Sequence, residues 1–287
     1  MKYLNRPVRL LIAACISITG IFAGCSVLDP AEEVPSYIKI DAINLNIVNP
    51  NVQGSGSHKI TDAWIYIDGT LIGAFELPCK FPVLAEGAHS LIVRAGIKMN
   101  GTSTTRAMYP FYRGYEETVS LTRGQVTQVN PTVEYFSGTN FLWLENFENQ
   151  GISIDDITGA NFPGILDTIG APEAFEGHSG VVHLNADTFN FICRSSVPYS
   201  FAGGSDVYLE LNYRCNNPFT IGIYSNTTQF IPWVTINASY GWNKIYVRLT
   251  DAMASNPNIN YNVYFAMQKL DDVLEPYLYI DNIKLLK

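Results

Sequence analysis

The sequence predicts an all-β protein with two modest cores, on three observations. Strand-forming residues are abundant, with 17 Tyr and 15 Phe beside many Thr, and no long segment repeats its apolar residues with the 3.6-residue period of a helix. Turn residues, 22 Gly and 15 Pro, are spread throughout and divide the chain into runs of strand length. With 47% hydrophobic and 15% charged residues over 287 positions, the composition is that of a folded chain with enough length for two cores rather than one large one.

Residues 1–24 read as a secretory signal peptide. Lys2, Arg6 and Arg9 form a basic lead, and the apolar run over residues 10–22 has the length of a signal-peptide core and is too short to cross a bilayer comfortably. The stretch Ile21-Phe22-Ala23-Gly24-Cys25-Ser26 resembles the lipobox of bacterial lipoproteins. That resemblance implies that Cys25 is acylated on sulfur and becomes the mature N-terminus, and that Ser26 in place of Asp directs the protein to the outer membrane, with the periplasmic and cell-surface sides both open. The other reading of the same residues is an ordinary secretory leader with an incidental cysteine. Removing the leader leaves 15 basic against 26 acidic side chains, a net charge of −11, which disfavours nucleic acid and anionic lipid as partners of the folded part. Attachment to the membrane would come from the acyl chains. Cys15 leaves with the leader, so Cys79, Cys193 and Cys215 remain and allow one disulfide at most. Cys193 and Cys215 both fall at apolar positions of strand candidates, and two readings stand: a bridge between them or two buried thiols.

Residues 25–35 (SVLDPAEEVP after the cysteine) are short, acidic and proline-bearing, as a lipidated tether would be. Strands then recur over residues 36–136. "YIKIDAINLNIV" alternates, with a phase slip between Ile40 and Ile43 that predicts a bulge. "AWIYIDGTLIGAF" predicts a hairpin turning at Asp68-Gly69. "EGAHSLIVRAGI" gives a further strand, and "EETVSLTRGQVTQVNPTVEY" two more around Arg123-Gly124. Ile67-Asp68-Gly69, Gly73 and Glu86-Gly87-Ala88-His89 before an alternating strand resemble the PEGA-like and immunoglobulin-like sandwiches of bacterial surface proteins. The resemblance implies a non-catalytic spacer or interaction module.

A small polar break, "FSGTN" at residues 136–140, marks the domain boundary, and eight or nine strand candidates follow over residues 141–287, a set of jelly-roll size. The opening "LWLENFENQG", then "GHSGVVHL", "GWNKIYVRL" and the closing "YLYIDNIKLL" resemble, in order and spacing, carbohydrate-binding-module jelly rolls of the galactose-binding-like kind. The resemblance implies that an acid of the opening strand and one of the closing strand, here Glu148 and Asp281 with Glu145 as a helper, lie side by side and hold a structural calcium. Carboxylates and carbonyls suit calcium, which takes six to eight oxygen ligands; the same acids also read as solvated side chains near strand ends. It further implies that Trp242 begins a buried strand.

Catalysis finds little support. Glu145 and Glu148 would point to opposite faces of a strand, whereas a glycosidase needs two acids facing each other across a cleft. "GHSGV" breaks the nucleophile-elbow pattern at Val181, His178 and His183 lack partners at zinc spacing, and no glycine-rich phosphate loop is present. A sugar-binding face is better supported. Strand parity sets Tyr208, Glu210, Asn212 and Arg214 on one face, expected to be solvated, and places Tyr224, Trp233 and Tyr264 among polar neighbours that include Gln268. Pyranose rings stack on aromatic planes while amides, carboxylates and Arg hold the hydroxyls, so Trp233, Tyr224, Tyr264, Asn212, Arg214, Glu210 and Gln268 form the candidate glycan set. For Trp233 the competing reading is a cover over a sheet edge or a ring packed under a loop. The sequence thus predicts a lipid-anchored, non-enzymatic envelope protein that binds glycan through its C-terminal jelly roll, the alternative being an adhesion or assembly subunit that binds a protein partner.

Overall fold

The run "SYIKI" becomes the first strand of an almost wholly β chain, in a computed structural model that describes residues 32–200, 204–225, 229–254 and 260–287. The signal peptide and the lipidation residue Cys25 lie outside the described residues. Strand β1 (Ser36–Ile40) pairs antiparallel with β5 (Cys79–Val83) and parallel with β9 (Val126–Val129). The expected bulge after Ile40 is instead a change of sheet. The chain leaves β1 for β2 (Asn44–Asn46), which pairs in parallel with β10 (Thr132–Glu134), and Ile38, Ile40 and Ile43 are all buried across the break. A single helical turn, α1 (Pro50–Gln53), follows.

The opposing sheet is built on β6 (Gly87–Lys98), whose length lets it take three neighbours: β3 (Asp62–Ile67), β7 (Arg106–Met108) and β8 (Tyr115–Leu121). The hairpin from β3 to β4 (Thr70–Glu76) turns at Asp68 (φ 48°) and Gly69 (φ 78°), the left-handed pair that matches strand twist. Ile65, Leu91, Val93 and Ile97 face Ile38, Ile40 and Phe81 in the first core.

The second sandwich opens with β11 (Phe141–Glu145) and closes with β22 (Tyr277–Leu286), and these two strands pair antiparallel. Its first sheet has the order β13 (Asp167–Gly170), β14 (His178–His183), β22, β17 (Tyr208–Cys215), β20 (Ser239–Arg248), with β11 also on β22. Its second sheet has the order β12 (Ile154–Asp156), β15 (Asn190–Ser195), β21 (Asn260–Gln268), β18 (Phe219–Ser225), β19 (Phe230–Ile236), with β16 (Tyr199–Ser200) also on β21. A short helix α2 (Thr250–Met253) caps one end. Alternating residues of both sheets, among them Leu209, Leu211, Ile280, Phe219, Ile221 and Phe265, fill the core between them. Among the described residues no helix is long and apolar enough to cross a membrane.

Cys193 stands in the second sheet and Cys215 in the first, both as buried free thiols, so no bridge joins them. Burial pushes both thiols up from their ordinary range. Trp242, expected in the core, lies on the outer face of the first sheet beside Arg214 and Tyr279.

The largest correction concerns the β17 face expected to be solvated. Tyr208 and Glu210 are 3% and 0% exposed and Asn212 2%, because the first sandwich packs onto them. Tyr109 meets Tyr208 and Tyr246 edge-on at 5.3 and 4.9 Å. The Tyr109 hydroxyl donates to Glu210 Oε1 at 2.6 Å, and the Tyr135 hydroxyl to the same carboxylate at 3.0 Å. Lys244 Nζ stands 3.2 Å from Glu210 Oε2, while Lys284 Nζ donates to Ser55 O at 2.7 Å and to the Tyr135 hydroxyl at 3.2 Å. Asn212 donates to Ser57 Oγ at 2.7 Å. Alternation along β17 correctly marked these side chains as polar; their partners are polar groups of the other sandwich rather than water.

Candidate functional site: the aromatic face and the acidic cavity

On the outer face of the second sheet, the register across β15, β21, β18 and β19 aligns Arg194, Tyr264, Gly222 and Pro232 in one row and Asn262, Tyr224 and Phe230 in the next. Each alternates with a core residue, Tyr264 between Val263 and Phe265, Tyr224 after Ile223, so the fold turns them outward. Tyr224 has two close neighbours. The Arg194 guanidinium lies 4.8 Å from its ring centroid, and the Phe230 ring 4.7 Å away on the next strand. Phe230 also meets Tyr264 edge-on at 5.3 Å. Among the described residues no carboxylate pairs with Arg194, and its Nε has no hydrogen-bond partner. Thr220, Ala266 and Thr235 continue the face as a strip of small side chains, which ends at Asn190 and the exposed Gln268.

Gly222 makes this arrangement possible. A Cβ there would sit 2.3 Å from Ile231 O and 2.5 Å from Tyr264 Cε1, so the bare backbone is what lets the tyrosine ring lie across β18. Gly222→Ala is expected to displace Tyr264 and lower stability by about 1–3 kcal/mol, the usual range for overpacking. Urea unfolding would check this, and a wild-type midpoint would show that the ring has room to move.

The seven residues of the candidate glycan set are therefore divided. Tyr224 and Gln268 share the outer face of the second sheet; Tyr264 lies on that face as well but is buried at 3% exposure, with Phe230 packed against it. Trp233 does not join them. A register shift between Ile221 and Gly222 makes Trp233 the extra residue of β19, and it packs against the core with its indole N–H donating to Arg248 O at 2.7 Å, across to the first sheet. A bulge breaks the parity on which its placement rested. Glu210 and Asn212 are buried beneath the first sandwich, and Arg214 stands on the other sheet. Sequence reasoning missed Arg194 and Phe230. Arg194 was readable from "FNFICRS", where it falls out of phase with Phe191 and Cys193; Phe230 was hidden by the same bulge.

Glu148 and Asp281 line one cavity of about 440 Å³, together with Glu176 and with Gly54 and Ser55 of the first sandwich. Glu148 Oε1 accepts the His178 amide at 2.7 Å, with His178 Nδ1 3.4 Å from Oε2. Asp281 accepts from Ser179 Oγ at 2.8 Å and from the Asn282 amide at 2.6 Å. Burial raises the Asp281 carboxyl to about 7, against the pull of these hydrogen bonds and with the Glu176 charge adding to the rise. Glu145 is committed elsewhere, accepting from the Phe147 amide at 2.8 Å and from the Ser153 amide and hydroxyl at 2.6 Å. Among the described residues no three His, Cys, Asp or Glu side chains are grouped as a metal ion would need. Glu148 lies beyond the end of β11 rather than on the opening strand, so the two acids meet at a cavity and not across paired strands, and their oxygens accept from protein donors.

No family model matches the chain, and no curated protein matches it. Among solved structures, the CBM22-1 and GH10 modules of a Clostridium thermocellum endo-1,4-β-D-xylanase, complexed with xylohexaose, are similar at 12% identity and a TM-score of 0.37, over 52% of this chain and 28% of that one. A mutant of a family 29 carbohydrate-binding module is similar at 11% identity and a TM-score of 0.36, over 52% of this chain and 85% of that one. The family 11 carbohydrate-binding module of a Clostridium thermocellum cellulosomal cellulase is similar at 13% identity and a TM-score of 0.36, over 52% of this chain and 94% of that one.

Proposed function

We propose that this chain is a lipid-anchored, non-enzymatic protein of the outer membrane that captures glycan on the outer face of the second sheet of its C-terminal sandwich. The observation that carries the reading is the Tyr224 ring in contact with the Arg194 guanidinium and with Phe230, next to a strip of small side chains. A pyranose presents an apolar C–H face that lies on such a ring, while guanidinium and amide donors take its hydroxyls. The small side chains of Thr220, Ala266 and Thr235 leave space for a sugar chain to run toward Gln268. Binding then proceeds by stacking and hydrogen bonding on a rigid sheet, with no bond made or broken and no paired carboxylates called upon.

Glycan-array screening followed by titration of the best oligosaccharide tests the reading. Tyr224→Ala is expected to weaken binding by tenfold or more, a loss of about 1.4 kcal/mol, whereas Trp233→Ala in a folded protein leaves affinity unchanged. Full affinity in a folded Tyr224→Ala variant would reject the face. A second reading, binding of an envelope protein, draws support from β4, an edge strand that exposes Leu71 (47%) and Ile72 (40%) and offers unpaired backbone groups. Pull-down from envelope extracts with and without a charged residue at Ile72 separates the two.

A further inference from the structure

The first sandwich covers only part of the first sheet's outer face, and what it leaves uncovered is aromatic. The register sets Val181, Tyr279 and Arg214 in one row and His183 beside Tyr277 in the next. Opposite Arg214, β20 departs from register between Asn243 and Ser239, and that departure places Trp242 in the row. The Arg214 guanidinium lies 4.2 Å from the Tyr279 ring centroid and 5.7 Å from that of Trp242. Phe175 supports Trp242 edge-on at 5.3 Å, and Tyr277 meets Tyr279 edge-on at 5.5 Å. The loop carrying Phe175 is fixed in turn, its amide donating to Ser179 Oγ at 2.9 Å.

Arg214 is the unusual member. Among the described residues no carboxylate pairs with it; its Nε, shielded from solvent, has no partner, and Nη2 reaches only Glu173 O at 3.4 Å. In a chain where 26 acidic residues outnumber 18 basic ones, an arginine set on two aromatic rings without an acid is a cation held ready for a ligand. Flat half-buried rings suit pyranose faces, and the terminal nitrogens of a guanidinium suit a carboxylate. Nucleic acid draws its affinity from many phosphate contacts, which one cation does not supply, whereas a glycan stacked on aromatic rings needs only one of its carboxylates held.

We propose that this second face, on the sheet opposite the Tyr224 face, binds uronic-acid glycan, with sugar rings on Trp242 and Tyr277 and a uronate carboxylate on Arg214. The proposal shares with the first reading only the ligand class, and the two faces are separable by mutation.

Calorimetric titration of the full mature protein with oligogalacturonate and alginate oligosaccharides, and with the same oligosaccharides after reduction of their carboxyls, provides the test. Wild type is expected to bind at least one acidic series, more weakly as salt rises, and to lose at least tenfold with the reduced form. Arg214→Gln removes that preference and Trp242→Ala weakens both forms; circular dichroism establishes that each variant is folded, and Arg214→Met serves if Arg214→Gln is not. The proposal is overturned by absence of binding to both acidic series, by equal affinity for the reduced form, or by undiminished acidic binding in folded Arg214 variants. Loss of acidic binding in Tyr224→Ala alone would likewise overturn it and place that ligand on the other face.

Discussion

Replacing Glu210 by alanine is expected to lower the unfolding free energy by about 3–5 kcal/mol, the cost of breaking a buried charge pair by removing one member. Glu210 is fully buried between the sandwiches, and burial alone would push its carboxyl up; the ammonium groups of Lys244 and Lys284 and the hydrogen bond from Tyr109 overcome this and hold it below its ordinary range. Without Glu210, two lysines with nearly no exposure lose the negative charge beside them, and a buried charge without a counter-charge is unfavourable. Urea unfolding monitored by tyrosine fluorescence reads the loss. Adding Lys244→Met and Lys284→Met to Glu210→Ala is expected to recover most of it, since apolar groups of similar volume need no partner. A loss below about 1 kcal/mol in the single variant would show that water already reaches the cluster.

Stability is also expected to pass through a minimum near neutral pH. Burial raises Asp281 from 3.8 to about 7, so from about pH 4 to 7 the native carboxyl keeps a proton that the unfolded chain has released, and stability falls as pH rises. Burial, with the Lys244 charge, lowers Lys284 from 10.5 to about 7, so from about pH 7 to 10 the native amine gives up a proton that the unfolded chain retains, and stability rises with pH. Thermal unfolding across this range checks both arms. Asp281→Asn should flatten the acid arm and Lys284→Met the alkaline arm; a monotonic wild-type profile that neither variant changes would contradict both assignments. The proposed structural calcium has a distinct signature here. An ion held by Glu148 and Asp281 would favour the ionised carboxylate and flatten the acid arm in calcium but not in chelator.

Local order was readable wherever one strand or one turn sets the outcome. Asp68-Gly69 specified its hairpin through backbone preference alone, and alternation on β21 placed Tyr264 opposite Val263 and Phe265 without reference to other strands. The pairing of β11 with β22 is what the family resemblance implied for the opening and closing strands. Parity could not show which sheet a strand would enter, so Arg214 and Tyr224 were grouped although they stand on opposite sheets. Nor could it show what would cover a face. The polar residues of β17 look the same in sequence whether water or Tyr109 and Tyr135 satisfy them. Trp233 was misplaced by a register break, in which one extra residue reverses every side-chain direction beyond it, whereas Trp242 was placed in the core by the family resemblance alone.

The seam around Glu210 also decides how the protein behaves under load. Apolar surfaces can slide before they part, whereas hydrogen bonds weaken steeply once their short distances and near-linear angles are lost. A joint locked by Tyr109 and Tyr135 on the Glu210 carboxylate, and by Lys284 on Ser55 and Tyr135, is therefore stiff and brittle. A polymer tugging on the C-terminal sandwich would move both sandwiches as one lever, and the give would come from outside the pair.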